Sequence, residues 1–194
     1  MEILTRGREA RRAQRRGAAV LAALMLANAA VGAQGVAAPT LRAAFLFNFA
    51  KFSEWPADTL APGQRLAMCV VGDAAVADAL SQTIKGHAIE GHELTVAILK
   101  IDESASACHL LYVSASEIKR SAGLLLGVKA ASVFTVSDAE GFAESGGVAQ
   151  LIVENDRMRF AINIASALRR RLNISSKLLS LAEIVKDGRG VRVP

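Results

Sequence analysis

The chain has 194 residues, 52% of them hydrophobic and 21% charged, with a formal net charge of +5. That length holds one ordinary domain, and that composition excludes intrinsic disorder, which needs low hydrophobicity and high charge. Six of the 23 basic side chains (Arg6, Arg8, Arg11, Arg12, Arg15 and Arg16) crowd the amino end against Glu2 and Glu9, and without residues 1–33 the balance is 17 basic to 16 acidic. No basic face then remains for a nucleic acid to read.

Residues 1–33 have the form of a secretory signal peptide. The arginine cluster is followed by an apolar run at 18–30 (AAVLAALMLANAA), shorter than the roughly 20 residues that span a bilayer. Val31, Gly32 and Ala33 supply small residues for cleavage after Ala33. No cysteine follows the cut to carry a lipid, so the expected product is periplasmic. Residues 34–39 form a short tail, 40–187 one domain, and 188–194 a second tail.

The first helix is expected over 41–53 (LRAAFLFNFAKFS), with Leu41, Phe45, Phe49 and Phe52 on one stripe and Leu46 and Phe47 off it. Trp55-Pro56 ends it, because a residue before proline avoids the helical region. The run 65–71 (RLAMCVV) predicts a strand covered on both faces. Gly72 turns the chain, and Asp73 caps a helix over 74–84. Strands follow at 94–99 and 110–114, a helix at 116–126, and a strand at 132–136. Residues 138–147 make a glycine-bearing loop. Residues 150–154 and 157–162 pair as a hairpin about Asn155-Asp156. The last two helices are expected over 163–171 and 176–186, the latter capped by Ser175 or Ser176 and stopped by Gly188. Strands alternating with helices predict a single three-layer α/β domain. Its sheet is Rossmann-like and mostly parallel, with a late antiparallel hairpin and helices on both faces.

No catalytic set emerges from these residues. Gly72 stands alone, without the fingerprint of a dinucleotide turn, and there is no nucleophile elbow. Asp138, Glu140 and Glu144 share the glycine-bearing loop, where a solvated loop explains them better than a carboxylate pair. His87 and His92 match no metal spacing. Cys108 beside His109 makes a metal cluster conceivable, but two cysteines in an oxidising compartment favour a Cys69–Cys108 disulfide between neighbouring strands. Arg169, Arg170 and Arg171 end a helix, where they complement its dipole. No cofactor or metal is expected.

The residues also carry a resemblance. AAFLFNFAKFSEWP (43–56) resembles the opening motif of the YfiR/HmsC family of bacterial periplasmic regulators. CVVGD (69–73), the strand introduced by Cys108, VFTVSDAEGFAESGG (133–147), RFAIN (159–163) and LNISSKLLSLA (172–182) are similar to that family in the same order. One departure is Val148-Ala149-Gln150, where the family pattern implies a more apolar start to a strand. The resemblance implies a non-enzymatic protein that represses an inner-membrane diguanylate cyclase through the cyclase's periplasmic domain. Cyclic-di-GMP and biofilm output would fall. It also implies release by an outer-membrane, peptidoglycan-associated lipoprotein in some members. A periplasmic small-ligand receptor feeding a sensor or transporter is the alternative, and a hydrolase using Asp138 or Glu144 a third.

Surplus apolar residues point to protein contacts, including a homodimer. Leu46 and Phe47 on the first helix, with Leu179 and Ile184 on the last, are the candidate interaction residues. Asp138, Gly141, Phe142, Gly146 and Gly147 form a candidate loop site.

Overall fold

The computed structural model describes residues 38–154 and 157–186. The leader, the tail before residue 38, the hairpin turn at 155–156 and the carboxyl-terminal tail with Gly188 lie outside the described residues.

Helix α1 spans Ala38–Lys51. It stops two residues before the expected end, and Ser53–Glu54 instead form a short strand, β1. Strand β2 (Leu66–Val71) is buried on both faces, as its unbroken apolar run requires. Helix α2 spans Ala74–Ile84, with the Asp73 carboxylate accepting the Val76 N–H at 3.0 Å. Strands β3 (Ala88–Ile89) and β4 (His92–Ile98) form a tight hairpin, of which only the second arm was expected. Strand β5 is Leu110–Val113. The helix expected over 116–126 shortens to α3, Ala122–Gly127, after a run of turns. Ser114, Ser116 and Ser121 favour local side-chain hydrogen bonds over a continuous helix, and Ser114 and Ser116 do bond each other at 2.9 Å.

Strand β6 (Phe134–Ser137) leads through the 138–147 loop to β7 (Ala149–Glu154), which pairs with β8 (Arg157–Asn163) as the expected antiparallel hairpin. Asn163 caps α4, Ile164–Arg169. Strand β9 (Asn173–Ile174) returns to pair with β1. The expected final helix is one turn only, α5 (Ser176–Leu179), with the Ser175 hydroxyl accepting from the Lys177 N–H. Residues Glu183–Val185 are strand β10, parallel to β8, with Ile184 beside Ile162. β-branched Ile184 and Val185 favour a pleated, half-buried edge, and the open side of β8 supplies it.

The main sheet has eight strands in the order β10-β8-β7-β6-β5-β2-β4-β3. Its parallel core, β4-β2-β5-β6-β7, places the first strand of the core inside and the second outside. That is a doubly wound order, and it gives the Rossmann-like three-layer α/β fold. Helices α1 and α2 cover one face, burying Leu46, Phe49, Leu80 and Phe134 together. Helix α3 and the 99–108 connection cover the other, around Cys69, Cys108, Leu111 and Leu124.

Candidate functional site

In a doubly wound sheet, ligands sit beyond the carboxyl ends of the strands, where successive connections leave on opposite faces. Here that point lies between β2, which leads to α2, and β5, which leads to α3. Ser114 and Glu117 close on Gly72 there, and beside them an open pocket of about 520 Å³ remains, lined by Val71, Leu99, Lys100, Asp102, Glu117 and Arg120. Gly72 has a φ of 81°, and a Cβ there would collide with the Ser114 hydroxyl and the Glu117 side chain. Glycine is therefore required twice over, for its backbone angle and for the close approach.

Asp138 closes the same end of the sheet. One carboxylate oxygen accepts the Ala115 N–H at 2.7 Å. The other pairs with Arg42 of α1 at 2.9 Å, both side chains being mostly shielded from solvent. Beneath them, Tyr112 is fully buried. Its hydroxyl makes no well-formed hydrogen bond, and burial first, then the Asp138 carboxylate, pushes its pKa well above the usual value. Asp138 is thus a shielded carboxylate whose charge is matched by Arg42. Asp138 turns to Arg42 while Glu140 and Glu144 are exposed, as the solvated-loop reading expects of the two glutamates, and no carboxylate pair forms.

The rest of the 138–147 loop is anchored against β7, β8 and α4. Gly141 and Gly146 take φ of 71° and 100°. Phe142 is buried on Gly147, where any Cβ would strike its ring. Ala143 donates its N–H to Gln150 Oε1 at 3.3 Å and accepts from Asn163 Nδ2 at 2.7 Å. Ser166 Oγ donates to the Gly146 carbonyl at 2.9 Å. Gln150, the departure from the family pattern, therefore acts as a polar brace for the loop. Phe142, Gly146 and Gly147 form one wall of an open cleft of about 730 Å³, with Leu125 and Lys129 opposite.

The candidate interaction residues part company. Leu46 is fully buried in the core beneath α1 and offers no surface, which corrects its assignment as a contact residue. The helix packs on both the sheet and α2, so it buries a wide arc and not one stripe. Phe47 and Leu179 are half-buried and pack on the same core; the Phe47 ring meets His87 at 5.5 Å. Ile184 is 48% exposed, but on an edge strand and not on a helix face.

Cys69 and Cys108 are joined in a disulfide with Cα atoms 5.9 Å apart, tying β2 to the start of β5. His109, next along, is no metal ligand. Its Nδ1 accepts the Ala67 N–H at 3.0 Å and its Nε2 lies 3.2 Å from the Thr59 carbonyl. Among the described residues no three His, Cys, Asp or Glu side chains gather as a metal site. Sequence reasoning missed Arg42 as the partner of Asp138. The available signal was a cation in the first turns of a mostly apolar helix.

These features define a doubly wound α/β domain whose switch point is narrowed by its own side chains and keeps a pocket of about 520 Å³. The family model described as YfiR/HmsC-like matches residues 39–183, so the chain belongs to that family. No curated protein matches the sequence.

Proposed function

We propose that this protein is a periplasmic regulatory binding protein that represses an inner-membrane diguanylate cyclase by engaging the cyclase's periplasmic domain. Cyclic-di-GMP and the biofilm and exopolysaccharide output that depends on it fall as a result. Membership of the YfiR/HmsC-like family over residues 39–183 is the observation that carries this reading. The mechanism is binding free energy: the protein must prefer the inactive cyclase. Turning a cyclase from almost wholly active to almost wholly inactive takes a preference of about 5.5 kcal/mol. Ile184 and the 138–147 loop are the surfaces we assign to partner or self-association, with a homodimer as the working unit. An outer-membrane, peptidoglycan-associated lipoprotein is the candidate releasing partner.

The test is retention on the immobilised periplasmic domain of the cognate cyclase. We expect the native protein to be held and the Ile184→Asp variant to be held less well. Failure of the native protein to bind contradicts the reading. The cleft of about 730 Å³ favours a second reading, a small-ligand receptor. Native mass spectrometry that finds a stoichiometric small molecule, in a protein with no affinity for the cyclase, would select it.

A further inference from the structure

The main sheet ends in two edges of different character. At one, β10 has three residues, opens on Glu183 and is followed by Lys186. Short length and charge are the usual means by which a sheet edge is kept from pairing with another chain. The other edge lacks both. Strand β3 pairs with β4 only at Ala88–Glu93 and Ile89–His92, and among the described residues no strand lies beyond Leu94–Ile98 of β4. That stretch belongs to the run LTVAIL (94–99), which holds no charge, proline or glycine and is rich in β-branched residues. Ile98 is 58% exposed. Such a run on an open edge is the pattern that draws a further strand.

The hairpin decides which backbone groups point outward. Glu90 and Gly91 take φ of 50° and 84°, the two-residue loop whose flanking residues, here Ile89 and His92, form a hydrogen-bonded pair. The backbone groups of His92 therefore face β3. Direction alternates along a strand, so those of Leu94, Val96 and Ile98 face the same way, where β3 has ended. The intervening residues face β2, and in the same phase the Leu99 N–H donates to the Val70 carbonyl at 2.9 Å. The side chains of Leu94 and Val96 pack on the core beneath α1 and α2, and alternation puts Ile98 on that face too.

We propose that a second copy of this chain pairs antiparallel along this edge, about a two-fold axis at Val96. A two-fold axis normal to the sheet sets one residue opposite itself, and the open stretch 94–98 has Val96 at its midpoint. Val96 then meets its own counterpart, and Leu94 meets the Ile98 of the second copy, each pair exchanging two main-chain hydrogen bonds. Thr95 and Ala97 oppose each other on the other face. Apolar cross-strand pairs of this kind stabilise a sheet. The flanking charges agree with the direction. Glu93 and Lys100 bound the uncharged run, and antiparallel pairing brings the acidic end of each copy beside the basic end of the other. Each copy has one such edge, so the pairing closes at two chains. The inference rests on the homodimer of the proposed function, gives it a seam, and leaves Ile184 and the 138–147 loop to the cyclase.

The test uses the mature protein alone, so its outcome does not depend on whether a cyclase binds. Light scattering after size exclusion should give the mass of two chains. Ile98→Lys, which sets a charge on the seam at an exposed position, should give the mass of one, with far-ultraviolet circular dichroism unchanged. Ile184→Asp should leave the dimer intact. Cysteine substitution reads the register. A hydrogen-bonded pair holds its Cα atoms about 5.5 Å apart, within reach of a disulfide, so oxidised Val96→Cys should run as a covalent dimer. Thr95→Cys should not, because its counterpart lies on the diagonal at about 7–8 Å. The native cysteines are already joined to each other. If the variants fail to fold, hydrogen exchange of the native protein decides: the Leu94, Val96 and Ile98 amides, which face outward in one copy, should be protected. A single-chain mass, a dimer that persists in Ile98→Lys, a crosslink that forms as readily in Thr95→Cys as in Val96→Cys, or fast exchange at those three amides would each overturn the pairing.

Discussion

The two ends of the parallel strands are closed by different chemistry. At the carboxyl ends, Asp138 takes the Ala115 N–H and the Arg42 guanidinium, and Gly72 lets Ser114 and Glu117 approach. This closure is a shielded ion pair backed by a close backbone contact. At the amino ends, His109 bridges Thr59 and Ala67, and its Nδ1 accepts from Ala67 only while the ring is neutral. That closure depends on a group that titrates in the physiological range. The same fold thus carries one rigid end, braced by an ion pair, and one conditional end, where the bond from Ala67 needs a neutral ring.

The largest effect expected lies at the bond nearest the conditional end. Replacing Cys69 and Cys108 together by Ser removes a crosslink between residues 39 apart in sequence, which should cost about 4 kcal/mol in the chain-entropy account. Urea unfolding of the oxidised protein and of the double variant measures it. Equal midpoints would show that the reduced chain is just as constrained.

Next in size is the rigid end. Asp138→Ala leaves Arg42 shielded without its anion and Ala115 without its acceptor, for an expected loss of about 2–4 kcal/mol. Arg42 and Asp138 should be strongly non-additive in a double-mutant cycle, because the second substitution removes a group the first has already stranded. Additive losses would mean that the pair does not act as a unit.

The pH dependence of stability distinguishes the two ends. The folded His109 pKa is depressed below 6.5 by burial, so the unfolded chain takes up the proton first. Stability is full above 6.5 and falls as the pH drops from there toward the folded value. His109→Gln should flatten that slope, and Asp138→Asn should leave it unchanged. A slope of equal size in His109→Gln places the titration elsewhere.

The smallest effect is expected at Ile184, which is half exposed on the sheet edge. Ile184→Asp should shift stability by less than about 1 kcal/mol, whereas Leu46→Asp, in the core, should prevent folding. If Ile184→Asp unfolds the domain, that residue is core and not a docking surface.

How far the sequence reveals these features follows from where the information lies. Helix α2 was legible residue for residue, because Asp73 supplies a local cap and the apolar spacing is unambiguous. The disulfide was legible because two cysteines in adjacent strands leave one pairing. Strand β10 was not, since 178–185 (LLSLAEIV) suits helix or strand and only the open side of β8 decides. Leu46 was misplaced because one stripe was assumed for a helix that packs on both a sheet and another helix. Of the candidate site, the 138–147 loop was legible from its glycines, but its partners were not. Arg42 and Asn163 lie far away in sequence, and bonds of that range leave no local pattern.

The central claim is that the protein acts by restraining a membrane cyclase from the periplasmic side. The direct measurement is cyclic-di-GMP in cells that carry the cognate cyclase, with this protein absent, exported, or expressed without residues 1–33. The account predicts a lower level only when the protein is exported. An unchanged level on export, or an equal fall with the protein held in the cytoplasm, would contradict it.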